Sequence, residues 1–312
     1  MFEKLVLVTR RTRLEELILR FNTRGQARFY IEHAGGDFAP YQAEHDAYQR
    51  ALDLLQGQLD LGLQRQVLAR ELVPTYGFGE RDLVVTVGQD GLVANTAKYV
   101  GGQPIVAVNP DPERIDGVLL PFTASQARAA VEATIEERAP VREVTLAEAV
   151  LADGQRLLAF NDFFIGARTH VSARYRIRAG ESWEPHSSSG VLVSTGAGST
   201  GWISSVFNMA AGVTAFAGGV PASGYGMAWE DPRLLFAVRE PFVSRTSSAT
   251  VTAGWIEEGE ALDIESLMPS GGVIFSDGME ADFLRFDSGA RVRLGAASRR
   301  ARLVTGAGSE RR

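Results

Sequence analysis

One carboxylate framed by glycines sets the chemistry available to this chain. Residues 82–99 read Asp-Leu-Val-Val-Thr-Val-Gly-Gln-Asp-Gly-Leu-Val-Ala-Asn-Thr-Ala-Lys-Tyr. The β-branched run Leu83–Val87 predicts a buried strand, and Leu92–Val100 carries helix formers with apolar side chains near helical spacing. Between them Gly88-Gln89-Asp90-Gly91 is a strand-to-helix turn. Such a turn aims backbone N–H groups past the helix N-terminus, a geometry that suits phosphate. Asp90 places a negative charge at the same spot. That is repulsive unless the carboxylate accepts a proton or works beside a metal. The alternative is an ordinary solvated Asp in a strand–helix connection, and local spacing does not choose between the two.

Three further groups have side chains suited to a ligand. Arg10, Arg11 and Arg13 follow the first apolar run and could take a phosphate tail, although a solvated basic turn is the favoured reading. Asn161-Asp162 lies between apolar segments, where adjacent polar side chains need hydrogen-bond partners from a ligand or a neighbouring turn. Ser194-Thr-Gly-Ala-Gly-Ser-Thr-Gly-Trp202 combines glycines that permit close backbone approach, hydroxyls, and the flat face of Trp202. It has no Lys, so it is not a P-loop, and alone it is most often only a turn. The four histidines, His33, His45, His170 and His186, lack metal-ligand spacing and read as surface or packing residues. Asp111, Glu113 and Asp116 could chelate a cation, but a solvated acidic loop is the simpler reading.

The elements that must hold these groups fall into two styles. Leu5–Val8 predicts a first strand, Leu14–Arg20 a short helix, and Ala27–Ile31 a second strand. A long helical stretch runs from about Tyr41 to Leu72, with Gly57 and Gly62 as weak points, and Pro74–Gly79 is a loop. Ile105–Val108 is another buried strand. Asn109-Pro-Asp-Pro-Glu-Arg-Ile-Asp-Gly117 must be a loop leaving the same sheet edge as Gly88–Gly91, which makes a crevice of the kind ligands use. Ala124–Arg138 is an amphipathic helix. Alternating strands and helices imply a mostly parallel sheet. From Val141 onward short alternating segments separated by Gly, Pro, Ser and Asp predict an antiparallel β domain, with a possible helix at Ile203–Ala211. The tail Gly306–Arg312 is expected to fray.

Composition narrows the partners. The 312 residues suffice for two domains, and 45% apolar with 22% charged residues is ordinary for a soluble protein. A net charge of −6 with no basic stripe argues against nucleic acid, so an anionic ligand must be held by local groups. With no cysteine there is no disulfide, thiolate metal site or Cys nucleophile. Neither a signal peptide nor a membrane-length apolar run is visible, and the expected location is cytoplasmic.

Taken in order, these segments resemble the NAD kinases, and more closely the mitochondrial-type subtype. Gly88-Gln89-Asp90-Gly91-Leu92 is similar to the family's Gly-Gly-Asp-Gly-Thr. Asn109–Gly117 is similar to the mitochondrial-type Asn-Thr-Asp-Pro-Glu-Arg-Ser-Glu-Gly. Asn161-Asp162 corresponds to an Asn-Glu pair, Thr195–Thr200 to a Thr-Gly-Ser segment, and Asp277-Gly278-Met279 to a late Asp-Gly-Gln. The resemblance implies an N-terminal Rossmann-like α/β domain with a parallel sheet (residues 1–138) and a C-terminal antiparallel β-sandwich-like, NAD-binding domain with a tail (residues 139–312). It implies an active site between the two. It also implies phosphoryl transfer from ATP or another phosphate donor, such as polyphosphate, to the 2′-hydroxyl of the adenosine ribose of NAD. Asp90 would be the general base. Gly88, Gln89, Gly91 and Asn109 would contact the donor, and Asn161, Asp162, Ser199, Thr200, Gly201 and Trp202 would contact NAD. Mg²⁺ would ride on the nucleotide without a dedicated protein cage, and the assembly would be a homodimer or higher homo-oligomer.

Four positions depart from the pattern. Gln89 stands at the family's second Gly, Leu92 replaces a hydroxyl residue, Ser189 stands at a common Asp, and Asp162 is one methylene shorter than Glu. The competing readings are a diverged sugar or nucleoside kinase and a non-catalytic NAD(P)-binding regulator in which Gln89 blocks the donor. Against the regulator stands Asp90, since an unpaired buried carboxylate is costly without a use.

Overall fold

The computed structural model describes residues 2–178, 180, 182–221, 226–280 and 282–306. The expected fraying of the tail falls on residues 307–312, outside the described residues. Two compact units emerge: residues 1–142 with 302–312, and residues 143–301.

In the first unit the order is β1 (Lys4–Thr9), α1 (Arg13–Phe21), α2 (Arg24–His33), α3 (Ala39–Gln58), β2 (Gln64–Ala69), β3 (Asp82–Val87), α4 (Asp90–Ala97), β4 (Pro104–Asn109), β5 (Phe122–Thr123) and α5 (Ala127–Ile135). Strands run parallel in the order β2-β1-β3-β4, with β5 beside β4. Every residue of β3 and β4 is buried, which is why both read as unbroken apolar runs. Leu5, Leu7, Leu83, Val85, Val87, Val106 and Val108 meet Tyr48 and Leu55 of α3 and Val131 of α5 in one core. Burial of each such aliphatic side chain contributes about 1.5–3 kcal/mol.

Two sequence expectations are overturned here. Residues 27–31 belong to helix α2 and form no strand: the Thr23 side chain caps its N-terminus by accepting from Gln26 N, and Arg28 pairs with Glu32 one turn on. Only Ala27 of that helix is buried, so a short aromatic run on a solvent-facing helix imitated a strand. The helical stretch expected to reach Leu72 stops at Gln58. Gly62, at φ +73°, turns the chain into β2, and a 3-10 turn follows over Arg70–Thr75. Strand β2 sits at the sheet edge with only Leu68 buried, so its polar sequence lacks the strand pattern.

The second unit is built from β6 (Val141–Leu151), β7 (Arg156–Ala159), β8 (Asp162–Ala167), β9 (Ala173–Arg178), β10 (Trp183–Ser188), β11 (Val191–Ser194), α6 (Trp202–Phe216), β12 (Leu234–Val238), β13 (Ala253–Ile256), β14 (Leu262–Ser266), β15 (Gly272–Ser276), β16 (Phe283–Arg285) and β17 (Arg291–Val304). One antiparallel sheet has the order β13-β12-β11-β8-β15-β16. The other contains β10-β9-β14-β17, with β6 pairing β17 and β7. Inward side chains of both sheets, among them Phe163, Ile165, Val193 and Ile274 from one and Tyr175, Ile177, Ile264 and Val292 from the other, share a single core. The opposite face of the six-stranded sheet carries Phe164, Leu192 and Leu235, packed against Ile203 and Trp202 of α6. No helix among the described residues is long and apolar enough to cross a membrane.

Candidate functional site

In the first unit, β3 and β4 are adjacent and parallel, so the chain leaves both at one sheet end. Gly88 N–H donates to Val108 O at 3.2 Å and ties the two exits together. A Cβ at Gly88 would lie 2.9 Å from Leu92 Cδ2 and 3.4 Å from Arg10 Cδ, so a side chain there would crowd both neighbours. Gln89 is the N-cap residue of α4, yet its exposed side chain makes no cap hydrogen bond. Leu92 N–H turns back to Gln89 O at 2.8 Å, and no side chain caps the two amides before it.

Asp90 is the first residue of α4 and half-buried. Its Oδ1 accepts from Leu119 N at 2.7 Å, which fixes the carboxylate. The premise that this carboxylate is buried without a partner is therefore corrected: a backbone amide from the 109–120 segment stabilises it. That segment is itself braced. Asn109 donates from Nδ2 to Ile115 O and accepts at Oδ1 from Asp111 N, both at 2.9 Å. A Cβ at Gly117, where φ is +63°, would meet Asn109 Nδ2 at 2.8 Å. Asp111 is buried and paired with Arg114 at 2.7 Å, whereas Glu113 and Asp116 are exposed; the solvated acidic loop holds for the last two only.

The basic run divides in the same way. Arg11 faces Glu71 at 3.5 Å with both side chains about half exposed, and Arg13 pairs with Glu44 while over half exposed itself. Arg10 is different, with its side chain only 10% exposed and held at 3.0 Å by an equally buried Glu44.

In the second unit, Asn161-Asp162 and the Ser194–Trp202 segment are knitted together. Thr195 N–H donates to Asn161 O at 2.9 Å and Thr195 Oγ1 to Phe160 O at 2.6 Å. Gly198 N–H returns to Thr195 Oγ1 at 3.2 Å. The glycines serve this contact rather than open space: a Cβ on Gly198 would fall 2.1 Å from Asn161 O, and one on Gly196 would fall 1.8 Å from Ala228 O. Ser199 is buried, with its hydroxyl donating to Gly196 O at 2.7 Å. Thr200 and Gly201 are exposed. Trp202 stacks on Phe164 with centroids 5.7 Å apart and carries the Arg239 guanidinium 5.3 Å from its ring centre, so its face is already engaged within the protein. Phe164, Trp202, Arg168, Arg239, Phe275 and Phe283 line a cavity of about 160 Å³ there.

Asp277 organises the other side of this turn. Its carboxylate accepts from the backbone N–H groups of Phe160, Asn161 and Asp162 at 3.0, 2.6 and 3.3 Å, and its own N–H donates to Asp162 O at 3.0 Å. Burial, and next the neighbouring charge of Asp277, push the Asp162 carboxyl up to about 7. Asp162 is therefore poised to hold or release a proton near neutral pH.

No family model and no curated protein sequence matches the chain. Among solved structures it is similar to an NAD kinase from Archaeoglobus fulgidus in complex with ATP, at 15% identity and TM-score 0.56, covering 98% of this chain and 95% of that one. It is also similar to a yeast NADH kinase complexed with NADH, at 16% identity and TM-score 0.60, covering 99% and 86%. The fold is that of the NAD kinases.

Within that fold, three residues make contacts that residue order does not show. Leu119 acts through its backbone, which no side-chain motif can signal. Asp277 stands in a motif, but its partners lie 115–117 residues away. Arg10 sits among other arginines in the sequence, and only burial separates it from them. His186 is buried and stacks on Tyr175 at 5.4 Å, His33 and His170 are exposed, and His45 Nδ1 lies 3.0 Å from Thr12 Oγ1. Among the described residues no three His, Asp or Glu side chains gather as a metal site.

Proposed function

We propose that the protein is an NAD(H) kinase that moves a phosphoryl group from ATP, or another phosphate chain, to the 2′-hydroxyl of the adenosine ribose. The observation that carries this reading is Asp90: a carboxylate at an uncapped helix N-terminus, anchored through Oδ1 by Leu119 N. Phosphoryl transfer asks the protein chiefly for positioning and for a base aimed at the nucleophile. In this reading Asp90 takes the hydroxyl proton as the O2′–P bond forms and the donor's P–O bond breaks. The N–H groups around Gly88, Gln89 and Gly91 hold the donor phosphates, and Asn109 keeps the adjoining loop in shape. With no carboxylate or histidine cluster among the described residues to hold it, Mg²⁺ would be carried by the donor phosphates and would supply charge neutralisation there.

The acceptor falls to Asn161, Asp162, Ser199, Thr200, Gly201 and Trp202, with the side chains of Ser199 and Trp202 acting mainly to shape the turn. The turn's tight packing against Asn161, and the bonds by which Asp277 holds the 160–162 backbone, support a rigid acceptor site, as specificity for one hydroxyl requires. The similarity to a kinase of NAD and to a kinase of NADH supports either redox form as acceptor. We propose a homo-oligomeric enzyme of the mitochondrial-type subtype on the sequence resemblance.

The test is incubation of the purified chain with NAD or NADH, Mg²⁺, and either ATP or polyphosphate, followed by detection of NADP or NADPH. Formation of either product supports the reading. Tight NAD binding without turnover would replace it with the regulator, and phosphorylation of free sugars or nucleosides instead would replace it with a different acceptor class.

A further inference from the structure

Arg10 is placed and built in a way that its surroundings leave incomplete. It follows directly on β1, and its backbone N–H donates to Tyr48 Oη at 2.9 Å, while Tyr48 Oη donates to Val87 O at 3.1 Å. Tyr48 thereby pins the ends of β1 and β3 together beside the Gly88 turn. The guanidinium lies 5.3 Å from the Tyr48 ring centre, donates from Nη2 to Glu44 Oε1 at 3.0 Å and from Nη1 to Arg11 O at 2.9 Å. Its Nε, fully shielded by protein, has no hydrogen-bond partner. This Nε would lie 3.5 Å from a Cβ placed on Gly88, so it borders the turn itself.

A purely structural role explains this poorly. Taking a guanidinium out of water and leaving a donor unfilled is costly, and an aliphatic side chain would fill the same space without that cost. Arg10 and Arg13 both pair with the single carboxylate of Glu44, so these three side chains together sum to one positive charge. Adjacent to it, the eight-residue helix α4 begins without a side-chain cap. A fixed cation and a helix N-terminus without a side-chain cap both select for oxygen anions.

Resting on the kinase reading above, we propose that Arg10, held by Glu44 and Tyr48, is the residue that binds the phosphate chain of the donor at the Gly88–Gly91 turn. It supplies the charge in a protein whose overall field is repulsive to anions, with a net charge of −6. The ligand class is a chain of linked phosphates, whether borne by a nucleoside triphosphate or free as inorganic polyphosphate.

The test is calorimetric titration of the full chain with ATP, with inorganic tripolyphosphate and with NAD, for the wild type, Arg10→Gln, Arg10→Lys, Glu44→Gln and the exposed control Arg11→Gln. Loss of a charge-assisted contact should weaken both ATP and tripolyphosphate about ten- to hundredfold in Arg10→Gln, and less in Arg10→Lys and Glu44→Gln. NAD affinity in these variants and all affinities in Arg11→Gln should stay within about twofold. Should Arg10→Gln fail to fold, Arg10→Lys and Glu44→Gln must show the same donor-selective loss. Donor affinity unchanged in the folded Arg10 variants, equal loss for NAD and donor, loss for ATP but not tripolyphosphate, or no tripolyphosphate binding by the wild type would each overturn the assignment. The kinase reading fails separately: a wild type that binds tripolyphosphate through Arg10 but phosphorylates neither NAD nor NADH refutes the activity and keeps the site. An active wild type matched by Arg10→Gln in donor KM refutes the site alone.

Discussion

Asp277 and Asp162 are neighbours in a turn where the Asp277 carboxylate holds the 160–162 backbone and the Asp162 carboxyl is pushed up toward neutrality. The first accepts three successive backbone N–H groups, while burial and the charge of Asp277 push the second up to about 7. An acid whose folded pKa lies above its ordinary 3.8 binds more protons folded than unfolded between those two values. Its contribution to stability is present below about pH 4 and is lost as pH rises through about 7. Asp162→Asn is expected to remove this loss, so thermal unfolding of the variant should show a flatter Tm from pH 4 to 7 than the wild type. Parallel Tm curves would mean that Asp162 titrates normally.

Replacing Asp277 tests the other half of the pair. Asp277 occupies left-handed backbone at φ +53°, which Asn tolerates better than most residues. Asp277→Asn should therefore fold, and removal of its charge should lower the Asp162 carboxyl toward the ordinary range. Asp277→Ala strands several backbone donors and should cost roughly 2–4 kcal/mol in denaturant unfolding. Equal stability for the two variants would argue that the carboxylate's hydrogen bonds contribute little.

Glycines of the two turns should respond oppositely. Gly198→Ala drives a Cβ into Asn161 O, and overpacking of this kind costs about 1–3 kcal/mol or more. A methyl group on Gly91 would meet nothing within 4 Å, and the residue lies in the first turn of α4, so Gly91→Ala should be neutral or stabilising by about 0.5 kcal/mol. Reduced activity in Gly91→Ala with unchanged Tm would mark Gly91 as a position where ligand approaches backbone.

Asp90→Asn keeps an oxygen for the Leu119 amide and removes the proton acceptor. We expect an unchanged Tm, NAD binding within about twofold, and kcat lower by about 10²–10⁴. Full activity in a single-turnover assay would exclude Asp90 as the base.

Gln89 is exposed at the N-cap and contributes no cap bond. Gln89→Gly places at the turn the glycine that the NAD kinases it resembles carry there, and should lower the donor KM severalfold at little cost in stability, since Gly substitutes well at a cap. Identical donor KM and kcat would show that the side chain stays clear of the phosphates.

Much of the site is legible in the chain because its parts are local. The strand–turn–helix around Asp90 follows from a β-branched run, two glycines and good helix formers, all within eighteen residues. Strands β3, β4, β8 and β11 are buried almost throughout and announce themselves as apolar runs, whereas edge strand β2 and the exposed helix α2 have no inward pattern to read. Residue order is therefore enough for the buried strands, for the change of structural style near Val141, and for a carboxylate at a strand-to-helix turn. It is not enough for the anchoring of Asp90 by Leu119, the burial of Arg10 rather than Arg11 beside Gly88, or the bracing of Asn161-Asp162 by Asp277. Each of these depends on burial or on a backbone amide brought from 29 to 117 residues away, and folding of the whole chain sets both quantities, not local spacing.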